Sequence, residues 1–131
     1  MKALDTNVLV RYLVQDDPNQ SRRATLFIER TAAGGERLFV DAIVLCELAW
    51  VLDAAYGYPK ASLADAVEAI LLTAQFEVDE KDTAWAALAD YRNSRADFAD
   101  CLIGRVNQSR GCDTTVTFDK SLKTLPAFKM L

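Results

Sequence analysis

Short apolar runs alternate along the chain with longer segments of helical periodicity, and this alternation predicts strands separated by helices. The predicted strands span residues 2–5, Leu38–Val40, Phe76–Val78 and Thr114–Phe118, with a final edge strand at Phe128–Leu131. Strands that alternate with helices are typical of a parallel sheet, because a parallel connection needs a long crossover. The pattern therefore predicts an α/β fold, a three-layer α/β/α sandwich with a central, mostly parallel sheet.

Helix boundaries are marked by capping residues, prolines and glycines. Asp17 followed by Pro18 is a strong helix start, and the segment Ser94–Asp97 resembles a capping box. The predicted helices cover roughly 7–14, 18–33, 42–56, a segment from Lys60 or Ser62 to about Thr73, 80–92, and a last helix that opens at Ser94–Asp97 and ends at Gly111. No repeat, linker or low-complexity tract interrupts the pattern, so we expect a single domain over residues 1–131.

Composition narrows the class of protein. A hydrophobic fraction of 51% with a mean hydropathy of +0.02 is ordinary for a globular chain, and no apolar run is long enough to cross a bilayer. Charges at Lys2 and Asp5 come too early for a signal peptide. The three cysteines lack CxxC spacing and are odd in number, which fits neither a disulfide framework nor a zinc motif. We therefore expect a cytoplasmic protein with no membrane partner.

The chain contains no histidine, and its net charge is −4. Histidine-based nucleophilic catalysis and most zinc sites are thereby excluded, so hydrolytic chemistry would rest on carboxylates, hydroxyls, lysine or an oxygen-bound metal. A negative charge is unfavourable for binding nucleic acid. Bound divalent cations would correct it locally, and a basic partner protein would also complement it.

Two acids follow predicted strands directly, Asp5 after the first and Asp119 after the fourth. Ligands of parallel α/β sheets bind beyond the carboxyl ends of the strands, which makes both residues candidates for a functional site. Either one could instead be an ordinary helix N-cap.

Glu47 is the only charged residue in the segment Ala42–Leu52. So apolar a helix is expected to be largely buried, and a buried carboxylate is costly unless it is paired with a cation or a metal. We expect a functional role for Glu47, with a structural ion pair to an arginine as the alternative.

Asp97 and Asp100 are three residues apart on one predicted helix, so their side chains lie close together. Asp100 flanks an apolar stripe and is the stronger candidate ligand. Asp97 is near the helix start, where capping is an equal alternative to a ligand role. Together, Asp5, Glu47, Asp100 and Asp119 suggest an oxygen-ligand site for Mg²⁺, or for Mn²⁺.

Four sequence blocks that contain these acids resemble the PIN domain, and within it the VapC-type toxins of type II toxin–antitoxin pairs. The blocks are Leu4–Leu13, Leu45–Leu48, Ala96–Ile103 and Thr117–Lys120. The resemblance covers nearly the whole chain and implies a compact α/β/α sandwich with magnesium-dependent endoribonuclease activity on RNA. It also implies a homodimer and a cognate antitoxin. One departure is Asp41, where relatives more often show a hydroxyl or proline, and we assign it no chemistry.

Carried over residue by residue, the resemblance implies that Asp5, Glu47, Asp100 and Asp119 form the acidic quartet, with Asp97 as an additional acid. Thr6, Asn7 and Thr117 match polar neighbours of those acids. Our mechanistic hypothesis places Mg²⁺ on Asp5 and Asp100 and uses an activated water, which would leave 5′-phosphate and 3′-hydroxyl ends. Candidate backbone contacts, or else ordinary solvated charges, are Arg11, Arg22, Arg23, Arg105 and Lys120.

Other functions remain open alternatives. A phosphatase of the haloacid-dehalogenase type also begins with an Asp after a buried strand, but it needs a second Asp where this chain has Asn7. A receiver-like binding module expects paired acids at the first strand end, and here there is one. A PIN domain that acts on DNA, serves as a scaffold or works outside a toxin–antitoxin pair is a third alternative.

Overall fold

The computed structural model describes all residues, 1–131, and contains helices and strands in the predicted order. The six helices are α1 (Thr6–Val14), α2 (Pro18–Ala33), α3 (Ala42–Ala54), α4 (Lys60–Leu72), α5 (Lys81–Arg92) and α6 (Phe98–Ser109). The five strands are β1 (Lys2–Ala3), β2 (Leu38–Val40), β3 (Phe76–Val78), β4 (Thr115–Thr117) and β5 (Phe128–Met130), with a 3-10 turn at Lys120–Leu122 between the last two.

All strand pairs are parallel, as predicted, and hydrogen bonds join the strands in two groups. The first group has the order β1-β2-β3, and the second is the pair β4-β5. Because the strands within each group point the same way, their carboxyl ends lie at one edge. Asp5 comes two residues after β1, at this edge of the first group, and Asp119 comes two residues after β4, at the corresponding edge of the second. The fold is therefore of the mixed α/β class with the parallel strands that the hydrophobic pattern predicted.

A continuous core of 29 buried residues holds the helices to the strands. Leu38, Val40 and Phe76 from the strands are almost fully buried, and Leu9 and Leu48 meet them from α1 and α3. α3 packs against α1, α4 and α6, while α5 packs against α4 and α6. α3 therefore lies between the start of the chain and the helix that carries Asp97 and Asp100, which places its exposed face beside both.

Several boundaries differ from the predictions. The prediction of a capping box at Ser94–Asp97 was wrong. α6 begins at Phe98 and Asp97 is its N-cap, whereas Ser94 accepts a hydrogen bond from the Ala96 amide. α1 begins one residue earlier than predicted, because Asp5 caps it. α3 ends at Ala54, short of Tyr56. None of the helices combines the length and hydrophobicity that spanning a membrane requires.

Candidate active site

The turn from β1 into α1 links Asp5 to α3 through Thr6. The Asp5 carboxylate caps α1, with Oδ1 accepting from the Thr6 amide at 2.8 Å. The Thr6 side chain is buried, and its Oγ1 donates to Oε1 of Glu47 at 3.3 Å. The predicted polar neighbour Thr6 thus bonds to two predicted acids, its adjacent residue Asp5 and Glu47, which is 41 positions further along the chain.

A cavity of about 390 Å³ opens beside this connection. Its polar lining comes from Asp5, Thr6, Asn7, Arg11, Glu47 and Tyr56. Arg11 is the cation of this wall, and its guanidinium donates to Asp16 at 2.9 Å and to the Tyr56 hydroxyl at 3.3 Å. Thr6, Asn7 and Glu47 share the cavity with Asp5, so four of the predicted site residues line one space.

Glu47 is not buried, which corrects the prediction made from its apolar surroundings. α3 buries Leu45, Leu48 and Leu52 completely, but it exposes the face that holds Ile43 and Trp50, each 70% exposed. Glu47 lies on that same face. The helix is nearly uncharged because its exposed face is apolar as well, and composition alone cannot distinguish this case from full burial.

The second group of acids lies at the start of α6 and the end of β4. Asp97 caps α6, and its Oδ1 accepts from the Asp100 amide at 2.8 Å. Partial burial, the charge of Asp97 and a hydrogen bond to its carboxyl, and the charge of Asp119 together raise the pKa of Asp100 to about 6. Burial is the largest cause of this shift, and the two like-charged neighbours add to it because they disfavour the ionised form.

Asp119 is held in place by its own turn. Its Oδ1 accepts from the hydroxyl of Ser121 at 2.7 Å and from the Ser121 amide at 2.9 Å, and these bonds lower the pKa of Asp119. The Asp119 amide donates in turn to Oγ1 of Thr117 at 3.0 Å. Asp5, Asp97 and Asp119 are therefore all N-caps, so the capping alternative is true of each, and capping leaves a second carboxylate oxygen for other partners.

Cys46 lies where α3 approaches the acids at the start of α6. Burial, and then the charges of Asp97 and Asp100, raise the pKa of this half-buried thiol, which directly precedes Glu47. Even so, nowhere in the chain do three or more acidic or cysteine side chains converge closely enough for a ready-made metal site. The donor set fits Mg²⁺ in kind, since it is all oxygen and carries repulsion that a cation would relieve. Binding would need the side chains to draw together.

The predicted basic residues have different surroundings. Arg105 makes two hydrogen bonds to Asp90, at 2.7 and 2.9 Å, so it joins α5 to α6 instead of facing the acids. Arg11 lies in the cavity wall, as described above. The remaining three, Arg22, Arg23 and Lys120, are exposed.

Two features near the acids were not foreseen from the sequence. Tyr56 shares the cavity with Asp5 and Glu47 and donates to Asp16 at 2.8 Å. Trp50 is exposed one helical turn beyond Glu47. Large aromatic residues are usually counted with the core, so no sequence signal separated these two from buried ones.

Comparisons with known proteins place this chain in a family. The PIN domain family matches residues 2–127, so the chain belongs to the PIN-domain family. It is also 30% identical, over 125 residues, to the VapC ribonuclease of Aquifex aeolicus (strain VF5). That alignment covers 95% of this chain and 92% of the relative. The resemblance found in the four sequence blocks is thereby confirmed.

Proposed function

We propose that this protein is a Mg²⁺-dependent endoribonuclease that acts in the cytoplasm as the toxin of a toxin–antitoxin pair. The observation that carries the proposal is the placement of Asp100: Asp97 bonds to its amide, and the charges of Asp97 and Asp119 add to the burial that raises its pKa. Family membership and the ribonuclease named among its relatives support the same activity. We propose that residues 1–131 form one domain, because the acids of the site come from near both ends of the chain.

Asp5 and Asp100 are the residues that would hold Mg²⁺, or Mn²⁺, and the ion would activate a water molecule and neutralise charge on the scissile phosphate. Glu47 and Asp119 complete the negative site from the other sides. The Thr6 hydroxyl fixes the Glu47 carboxylate, and the turn of Ser121 fixes Asp119. Asp97 holds the first turn of α6 and thereby the backbone of Asp100.

The chain's own residues favour water over the ribose 2′-hydroxyl as the nucleophile. With no histidine in the sequence, the protein lacks the usual proton-transfer pair for 2′-hydroxyl attack. The products are then expected to carry 5′-phosphate and 3′-hydroxyl ends. Asn7 faces the same cavity as Asp5 and is placed to contact the water or a phosphate oxygen.

The proposed partners follow from the toxin assignment. We include a cognate antitoxin and a homodimer on the strength of the family resemblance, and the net charge of −4 is complementary to a basic partner segment. Sedimentation of the purified protein, alone and after co-expression with the product of the neighbouring gene, measures both states. A monomer that binds no such product would contradict this part of the proposal.

Metal removal tests the activity directly. We expect EDTA to abolish cleavage of single-stranded RNA and Mg²⁺ or Mn²⁺ to restore it, with end-group analysis showing 5′-phosphates. Parallel reactions with DNA and with a small phosphate ester separate an RNA nuclease from a DNA nuclease and from a phosphatase. RNA cleavage that survives chelation, or hydrolysis of the ester alone, would overturn the proposed function.

A further inference from the structure

A second cavity, of about 420 Å³, lies between α3, α4 and the start of α6. Its volume falls within the range of roughly 300–1,000 Å³ that is usual for small-molecule sites. Trp50, Tyr58 and Arg95 contribute to its wall, and so does Asp97 of the acidic site. The cavity therefore borders the proposed active site at Asp97, and its lining contains none of the four acids assigned to catalysis.

The cavity presents aromatic surface to solvent. Trp50 is 70% exposed, although it belongs to a helix whose other side is fully buried, and Tyr58 is half-buried. Tyr91 lies deeper, only 7% exposed, and its ring meets Phe98 edge-on at 6.2 Å. An exposed indole beside a cavity is costly in water and offers a flat stacking surface.

The charges around the cavity balance. The lining contains two cations, Lys60 and Arg95, and two carboxylates, Asp53 and Asp97. Lys60 is already engaged, since its ammonium lies 4.9 Å from the centre of the Tyr91 ring and donates to the Ser94 carbonyl. A balanced interior disfavours an anion as the occupant and suits a neutral, planar group with polar edges.

Arg95 differs from Lys60 because it is exposed and makes no hydrogen bond or ion pair within the protein. Its guanidinium can bind a phosphate oxygen without first breaking another contact. The Asp97 carboxyl lies between the cavity and Asp100, to whose amide it is bonded at 2.8 Å. A nucleotide in the cavity would thus lie beside the first turn of α6, which carries Asp100.

We propose that this cavity is a nucleobase subsite for single-stranded RNA, in which a base next to the cleaved phosphate stacks on Trp50 and Arg95 binds the adjoining backbone. The inference rests on the proposed ribonuclease function and names the part of the substrate that is recognised. An unstacked base is required, so single strands and loops are favoured over duplexes.

Fluorescence of Trp50 provides the first test. In a Trp85→Phe background Trp50 is the only tryptophan, because the chain has two. We expect a short oligoribonucleotide, added in EDTA to prevent cleavage, to quench this fluorescence. An abasic ribose-phosphate oligomer of the same length should not quench it. Equal quenching by both oligomers, or by neither, would overturn the proposal.

Affinity provides the second test. Trp50→Ala should weaken binding of the oligoribonucleotide about 5- to 100-fold and raise KM more than it lowers kcat. Trp50→Phe should recover most of the affinity. Leu72→Ala, which removes a 67% exposed side chain from the end of α4, is the matched control and should change neither constant.

The outcomes separate the inference from the function on which it rests. If RNA quenches the Trp50 fluorescence but the wild-type protein never cleaves RNA, the proposed function fails and the base site stands. If it cleaves RNA while Trp50→Ala keeps the wild-type Kd and KM, the subsite is overturned. If Trp50→Ala instead turns a dimer into a monomer in sedimentation, the exposed face is an interface between copies, and the subsite is likewise overturned.

Discussion

The two sides of the acidic site are built differently. On the α1–α3 side, both carboxylates accept hydrogen bonds from Thr6, Asp5 from its amide and Glu47 from its hydroxyl. On the α6–β4 side, partial burial of Asp100, and then the charges of Asp97 and Asp119, raise the pKa of Asp100 to about 6. Repulsion is therefore concentrated on one side. A bound cation would relieve it there, whereas the other side is already arranged by hydrogen bonds.

The largest expected effect is the loss of RNA cleavage in variants of Asp5 and Asp100. The effect of the same variants on stability distinguishes the two sides of the site. Asp5→Asn and Asp100→Asn should each slow RNA cleavage by about 100-fold or more, since each removes a carboxylate that would hold the metal ion beside the reacting phosphate. Without metal, Asp100→Asn should raise the melting temperature because it removes repulsion. Asp5→Asn should leave it unchanged, because Asn caps helices as well as Asp does.

Thermal unfolding and cleavage rates measure both effects. Asp113→Asn is the matched control: this exposed acid precedes β4, at the opposite end of that strand from Asp119, and its rate should equal wild type. A large loss of stability in Asp100→Asn would show that the acid is structural and would contradict the contrast between the sides.

Removing the Thr6 hydroxyl should have the next largest effect on cleavage. Thr6→Val keeps the shape of a buried side chain but leaves the Glu47 carboxylate without its donor. Losing a group that orients a metal-site carboxylate costs roughly 10- to 100-fold in activity or metal affinity. Titration with Mg²⁺ under single-turnover conditions measures this. Thr6→Ser, which retains the hydroxyl, should stay near wild type, and an unaffected Thr6→Val would show that Glu47 needs no support.

Variants of Asp97 test whether this N-cap of α6 also contributes its charge to RNA cleavage. Asp97→Ala should cost about 1 kcal/mol in the free energy of unfolding, whereas Asp97→Ser should cost little because Ser also caps helices. We expect both variants to slow cleavage to a similar extent, since both remove the charge beside Asp100. Urea denaturation and cleavage rates check this. Full activity in Asp97→Ser would reduce Asp97 to a cap.

The smallest effect is expected away from both sides. Arg105 and Asp90 form an ion pair whose side chains are 36% and 15% exposed, so Arg105→Ala leaves a mostly buried carboxylate unpaired. The expected cost is about 1 kcal/mol of stability, measured in urea, with no change in cleavage rate. A slower Arg105→Ala with unchanged RNA affinity would place Arg105 in the site after all.

Much of the fold was predictable, because helix punctuation is local. Asp17 with Pro18, Gly34 and the short runs Leu38–Val40 and Phe76–Val78 mark elements that the structure confirms. The capping box at Ser94 failed, since Ser94 and Asp97 are both good caps and only packing against α3 and α5 chooses between them. Asp5 and Asp119 were predicted from their positions at strand ends, the other acids from their positions on predicted helices, and all of them by resemblance. Their roles stay predictions.

The sequence by itself determined the order of elements, the family, and a chemistry without histidine that rests on carboxylates. These follow from local periodicity and from residue types, which need no knowledge of distant contacts. Only the tertiary structure decided that Glu47 is exposed, that Thr6 bonds to it across the chain, and that Trp50 lies open beside Asp97. Which face of an apolar helix is covered depends on what packs against it, and that is a property of the whole fold.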